Sequence, residues 1–193
     1  YIGILEGSPE GSSDLHRSEK TSLALKYGAI GIIIINQVPN GVLLTGTASV
    51  TGELLTIPAV CISLEDGMAL KEKLKTSSST ATVKMTNNSS MINARNVVAT
   101  LKGSEIPEEE IVIGGHLDSW DLATGAIDNG IGSFAVLDIA RAFKANNLQP
   151  KRTVKFVLFM GEEQGLFGSR HMVKEAVEGG IIDNIKYMMN LDM

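Results

Sequence analysis

Ile111-Val112-Ile113-Gly114-Gly115-His116-Leu117-Asp118, followed by Gly125-Ala126-Ile127-Asp128-Asn129-Gly130, decides the fold. The β-branched run from Ile111 to Ile113 has no polar alternation, so it reads as a parallel strand buried on both faces. Two glycines end it, and a His-x-Asp follows at once. In open parallel sheets, ligands sit just beyond the carboxyl ends of the strands. Two further stretches repeat the arrangement. Residues 153–160 form an apolar strand that runs into Gly161-Glu162-Glu163, and residues 187–191 form another that ends in Asp192. Between the strands the spacing predicts helices over 129–144 and 166–176. Pro150 lies beyond the first, and Gly179-Gly180 closes the second. This order predicts an α/β domain with a mainly parallel, doubly wound sheet and helices on both faces.

Three strand ends therefore carry His116, Asp118, Asp128, Glu162, Glu163 and Asp192. Each has a plain reading when taken alone: a loop histidine, a helix cap at Asp128, a charged loop at Glu162-Glu163, a turn residue at Asp192. Taken together they are costly, because carboxylates crowded round one imidazole repel unless a cation neutralises them. The reading is a two-zinc hydrolase site. A neutral His116 can bind zinc through one ring nitrogen while the other donates to a carboxylate; Asp118 suits this role, or it can cap the loop. The two oxygens of Asp128 can bridge two cations, and the glycines around it permit close approach. The side chains of Glu162 and Glu163 project differently, so one can bind metal while the other serves as a general base toward a water. His171 reads as a structural or surface residue.

Residues 1–88 read as a separate small α/β unit. A strand is predicted over 1–5, a Gly/Ser/Pro-rich loop over 7–13, and a helix over 18–27 stopped by Gly28. A buried strand over 30–35, a long polar loop over 36–57 and a strand over 58–62 follow. Ser63, with Asp66 three residues on, predicts a capped helix running to about Leu74. The Ser/Thr-rich tract 77–86 is expected to end in a strand. His16 reads as a solvated surface histidine, and Glu6, Asp14 and Glu19 as solubility charges. Residues 89–109 join the units, with a strand over 93–101 and a polar turn over 103–109 whose glutamates face solvent. Asn87 and Asn88 each begin an Asn-x-Ser triplet.

Composition narrows the function. Hydrophobic residues make up 44% and aromatics 5%, so the cores are aliphatic. The net charge of −5 and the lack of any Lys/Arg run argue against nucleic acid as a partner. Cys61 is the single cysteine, which excludes an intrachain disulfide and a Cys-rich zinc site. The longest apolar run, Ala29 to Ile35, is far short of the ~20 residues that span a bilayer. The sequence opens inside a strand pattern without an initiator methionine and reads as a fragment of a longer protein, so it says nothing of a lost export signal.

The motifs Gly114-Gly115-His116-Leu117-Asp118-Ser119-Trp120, Gly125-Ala126-Ile127-Asp128-Asn129-Gly130, Glu162-Glu163-Gln164-Gly165-Leu166-Phe167-Gly168-Ser169 and Asn190-Leu191-Asp192 together resemble the co-catalytic zinc exopeptidases, in their carboxypeptidase Q-like branch. The resemblance covers residues 93–193. Residues 1–85, through Lys20, Ala24, Tyr27-Gly28-Ala29-Ile30-Gly31 and Ile57-Pro58-Ala59-Val60, resemble the protease-associated domain, a lid or substrate-gating module in such peptidases. The resemblance implies that His116 and Asp192 bind one zinc, Glu163 binds the other, and Asp128 bridges both. It implies Glu162 as general base and proton donor, Asp118 as the group that orients His116, and a non-proline cis peptide after Asp128. The implied reaction is hydrolysis of peptides or dipeptides by a water held between the zincs, in a secreted, periplasmic or otherwise exported protein. The family has one more histidine ligand downstream of the position matched by Asp192. Without it, the chain as it stands is expected to have little activity. Missing sheet strands are expected to leave apolar surface exposed and to favour self-association, a homodimer included. Two other functions fit the same motifs: acyl transfer or glutaminyl cyclisation on the same site, and a binding module whose acids only cap helices.

Overall fold

The computed structural model describes residues 15–193. The strand expected over 1–5 and the loop over 7–13 lie outside these residues. The chain divides into two compact units, Tyr1–Ser90 and Met91–Met193.

In the first unit, α1 spans Arg17–Lys26, β1 Ile32–Ile35, β2 Ala59–Ile62 and α2 Leu64–Leu74. His16 is exposed but has a local task. Its side chain accepts from the Ser18 N–H while the Glu19 carboxylate accepts from the His16 N–H, so the two cap α1 reciprocally. Gly28 ends the helix at φ 79°, a left-handed conformation that glycine adopts without a Cβ clash. β1 and β2 pair in parallel, Ile32 opposite Ala59. Ser63 Oγ accepts from the Asp66 N–H at 3.1 Å, and α2 starts there, as its capping pattern predicts. Two expectations fail. Within 30–35 only Ile32 is buried, and Ile30 is 85% exposed, because the strand begins two residues later and the pair has no further strand beside it among the described residues. The tract 77–86 forms no strand, since β propensity without a neighbour to complete its hydrogen bonds leaves the backbone unpaired.

The second unit is a four-stranded sheet of order β3-β5-β4-β6, where β3 is Val97–Leu101, β4 Ile106–His116, β5 Arg152–Phe159 and β6 Ile185–Asn190. β4 is parallel to β5 and to β6, whereas β3 is antiparallel to β5, so the sheet is mainly and not wholly parallel. β5 shows why its sequence lacks polar alternation. Val154, Phe156 and Leu158 face α3 (Gly132–Ala145) and pack on Val136, with the Phe143 ring edge-on to Phe156 at 5.8 Å. Val157 and Phe159 face the other side with Val112, toward Met172 of α4 (Phe167–Glu178). Period-two alternation thus feeds two apolar cores, and each fully buried Val or Phe contributes about 1.5–3 kcal/mol.

The expected polar turn over 103–109 is shorter than its composition suggests. β4 already begins at Ile106, with an irregularity before Glu110. Glu109 pairs with Arg152, and Glu110 reaches the Lys155 ammonium at 2.7 Å, so these carboxylates face cations of the next strand and not open solvent. Among the described residues no helix is long and apolar enough to cross a membrane.

Candidate metal centre

The parallel register sets the site. Gly114 lies opposite Val157 of β5 and Asn190 of β6, so the three strands finish at one level. Each strand runs out into polar residues: His116 and Asp118 at the end of β4, Glu162 and Glu163 past β5, Asp192 past β6. His116 is 3% exposed. Its Nε2 lies 2.9 Å from Asp128 Oδ1 and 3.4 Å from Asp192 Oδ1. One ligand atom each from His116, Asp128 and Glu163 falls within 4.8 Å of the others. The peptide between Asp128 and Asn129 is cis. The helix-cap reading of Asp128 does not survive, because α3 has no side-chain cap and the Asp128 carboxylate turns to the imidazole instead.

Asp118 differs from its expected contact. Its carboxylate is 3.8 Å from His116 Nδ1, and the closer partner of that nitrogen is the Asp118 main-chain oxygen at 2.9 Å. With Nδ1–H donating there, Nε2 is turned into the space among the acids, where its lone pair can take a cation and where, without one, it must carry a proton to bond Asp128. The carboxylate has other work. It accepts the backbone N–H groups of Gly161, Glu162 and Glu163 at 3.0, 3.1 and 3.1 Å, bracing the turn that carries both glutamates. Asn96 holds the same loop from behind. Its Oδ1 accepts from the Met160 N–H and its Nδ2 donates to the Gly168 carbonyl.

Two further residues have no role in the sequence reading: Asn129, although it stands within the 125–130 motif, and Ser133 outside it. Asn129 is 2% exposed, and its Nδ2 donates to the Leu191 carbonyl at 2.9 Å and lies 3.5 Å from the His116 carbonyl. Its Oδ1 accepts from the Gly132 N–H, and Ser133 Oγ donates to the His116 carbonyl at 2.6 Å. The one signal in the sequence is that these two polar residues stand on either side of the start of α3, beside apolar Ile131, Phe134, Ala135 and Val136. His171 sits on the exposed face of α4, 3.3 Å from Glu175, away from this cluster.

The electrostatics reflect the crowding. Burial pulls the His116 imidazole down, but the charges of Glu162, Asp192 and Asp128 and its bond to the Asp118 carbonyl outweigh this, so its net shift is upward. Glu162 is pushed up by burial and by Asp192, Asp118 and Asp128, against the opposing pull of His116. Glu163 is pushed up by burial, then by Asp128 and Glu162. Carboxyls raised together around an imidazole mark a site short of positive charge. One imidazole nitrogen with several carboxylate oxygens is a donor set suited to zinc.

Residues 96–193, just over half of the 193-residue chain, match Peptidase family M28. The chain belongs to peptidase family M28. Residues 9–70 match the PA domain, the family that the first part of the sequence resembles. Carboxypeptidase Q of Xenopus laevis is 32% identical over 187 residues, covering 95% of this chain and 39% of that protein. An aminopeptidase from Aneurinibacillus sp. strain AM-1 superposes with a TM-score of 0.65 at 29% identity, over 94% of this chain and 44% of its own. A zinc aminopeptidase from Bacillus subtilis does so with a TM-score of 0.64 at 29% identity, over 94% and 42%. The chain thus spans about two-fifths of the length of the proteins it matches.

Proposed function

We propose that the full-length protein is a zinc-dependent exopeptidase that removes single residues from peptides or dipeptides. The observation that carries this is the convergence of His116 Nε2 with Asp128, Asp192 and Glu163 past three parallel strand ends. Each carboxylate has two oxygens, so this set could serve two ions, in which case His116 and Asp192 would hold one, Glu163 the other, and Asp128 would be shared. Bound zinc would polarise the scissile carbonyl and make a water nucleophilic near neutral pH.

The chain's own residues supply the rest. The Asp118 carbonyl fixes the His116 tautomer. The Asp118 carboxylate fixes the backbone from which Glu162 and Glu163 project. Glu162, with its proton affinity raised by burial, takes the proton of the attacking water and returns it to the departing amine nitrogen. Membership of M28 and the zinc named for the Bacillus subtilis enzyme support the metal; the carboxypeptidase and aminopeptidase names of the relatives leave the end that is read to experiment.

A peptide-library digest with the full-length protein, before and after chelation and zinc add-back, tests the proposal. Release of single terminal residues that stops with chelator and returns with zinc is expected. Cyclisation of N-terminal glutamine without hydrolysis, or activity indifferent to chelator, overturns it.

A further inference from the structure

We infer that the Asn129 side-chain amide is a positioning residue that sets where Asp192 stands relative to His116. This rests on the proposed metal site and goes beyond it, because Asn129 itself faces no ligand atom. The amide is lodged where three backbone segments cross. Nδ2 donates to the Leu191 carbonyl, one residue before Asp192, at 2.9 Å, and lies 3.5 Å from the His116 carbonyl. Oδ1 accepts from the Gly132 N–H at 3.1 Å, which ties the group to the start of α3. A side chain carrying a single hydrogen-bonding atom could not make all of these contacts from one place.

The surrounding backbone leaves the amide no latitude. A Cβ on Gly132 would lie 2.1 Å from the Leu191 oxygen and 2.2 Å from Asn129 Oδ1. A Cβ on Gly115 would lie 2.9 Å from the same Leu191 oxygen and 3.3 Å from Asn129 Nδ2. The end of β6 thus lies close against β4 and the start of α3, with this amide bonded between them. β6 pairs with β4 only as far as Asn190, and beyond it the Leu191 N–H to the Gly114 carbonyl is the last ladder bond. Past that point the Leu191 side chain packs on the core around Val136, and the Asn129 bond to the Leu191 carbonyl is the hydrogen bond that ties the exposed segment carrying Asp192 back toward the strand carrying His116.

The test titrates metal-free full-length protein with Co2+, reading affinity by chelator competition and geometry by the visible absorption of the bound ion. Asn129→Ser keeps a polar group too short to reach Leu191, and Asn129→Asp keeps the shape but replaces the donor with an acceptor. Each is expected to fold and to bind Co2+ about 10- to 100-fold more weakly, the range seen when a group supporting a ligand is lost. In an Asp192→Ala background, Asn129→Ser is expected to add less than about twofold, because the two changes then act through one group. Affinity within about twofold of wild type for the folded single variants, or losses that multiply independently in the double variant, overturns the inference. So does a failure of both variants to fold, since the amide would then hold the fold and not the ligand. Failure of the underlying reading shows differently: wild-type protein that takes up no Co2+.

Discussion

Both units of the chain end parallel strands in polar residues, and they use them in opposite ways. In the first unit, β1 runs into Asn36 and β2 into Ser63. Both are neutral, and both are satisfied by their own neighbourhood. The buried Asn36 amide donates to the Val42 carbonyl, and Ser63 caps α2. In the second unit the equivalent positions carry a buried imidazole, two half-buried glutamates and the more exposed Asp128 and Asp192, all gathered around one point. Neighbouring backbone groups cannot neutralise that much like charge. The same local architecture is therefore self-contained in one unit and demands a cation in the other.

The comparison is broken most severely at Glu162. Glu162→Gln in the full-length protein is expected to lower kcat by about 10²–10⁴-fold while zinc content persists, since only proton transfer is removed. Metal analysis beside kinetics checks this; loss of zinc along with activity would move Glu162 from base to ligand. Asp118→Asn comes next. It places an amide donor among three backbone N–H groups, and about 1–3 kcal/mol of stability is expected to go with the unsatisfied donors, together with roughly tenfold or greater loss of metal affinity. Unfolding with and without zinc reads both.

The pH dependence of metal-free protein sharpens the contrast further. His116, Glu162 and Glu163 are all raised in the fold. The folded state therefore holds these protons more tightly than the unfolded chain, and the stability they contribute is present below the unfolded values and lost as pH rises through the folded ones. The Tm of chelated protein is expected to fall from acid toward neutral pH, and zinc, which binds the deprotonated ligands, to reverse the fall. A flat profile without metal would remove the electrostatic argument for the site. The smallest effect belongs to the first unit. Glu65 is lowered by its own backbone N–H and those of Asn40 and Gly41, so its contribution is present above the unfolded value and fades as pH drops through the folded one. Because the carboxylate is fully exposed, Glu65→Gln is expected to speed amide exchange at Asn40 and Gly41 without a measurable change in Tm.

The sequence announces the parts of the fold whose physics is local. Ser63 with Asp66 predicts the start of α2, and the apolar runs 111–113 of β4 and 156–159 of β5 predict strands covered on both sides, as their packing against α3 and α4 shows. The residues of the candidate site stand out because Gly-Gly-His-x-Asp and Glu-Glu at the ends of apolar strands are expensive patterns. What it conceals depends on partners distant in the chain. Glu109 and Glu110 read as a solvated turn until Arg152 and Lys155 arrive beside them. The tract 77–86 reads as a strand because propensity says nothing about whether a neighbour exists. The division of Asp118, carbonyl to His116 and carboxylate to the 161–163 backbone, depends on where residues 43 to 45 positions away fold back, which no local pattern records.

Asn96 carries a last consequence. It lies just before β3, the edge strand farthest in the sheet from β6, yet it grips the glutamate loop at both Met160 and Gly168. The loop is thereby stitched into a closed ring whose fastening is remote from the acids it displays. Fraying of that outer edge would loosen both glutamates at once, so the integrity of the rim depends on a margin of the sheet that contributes no acid to it.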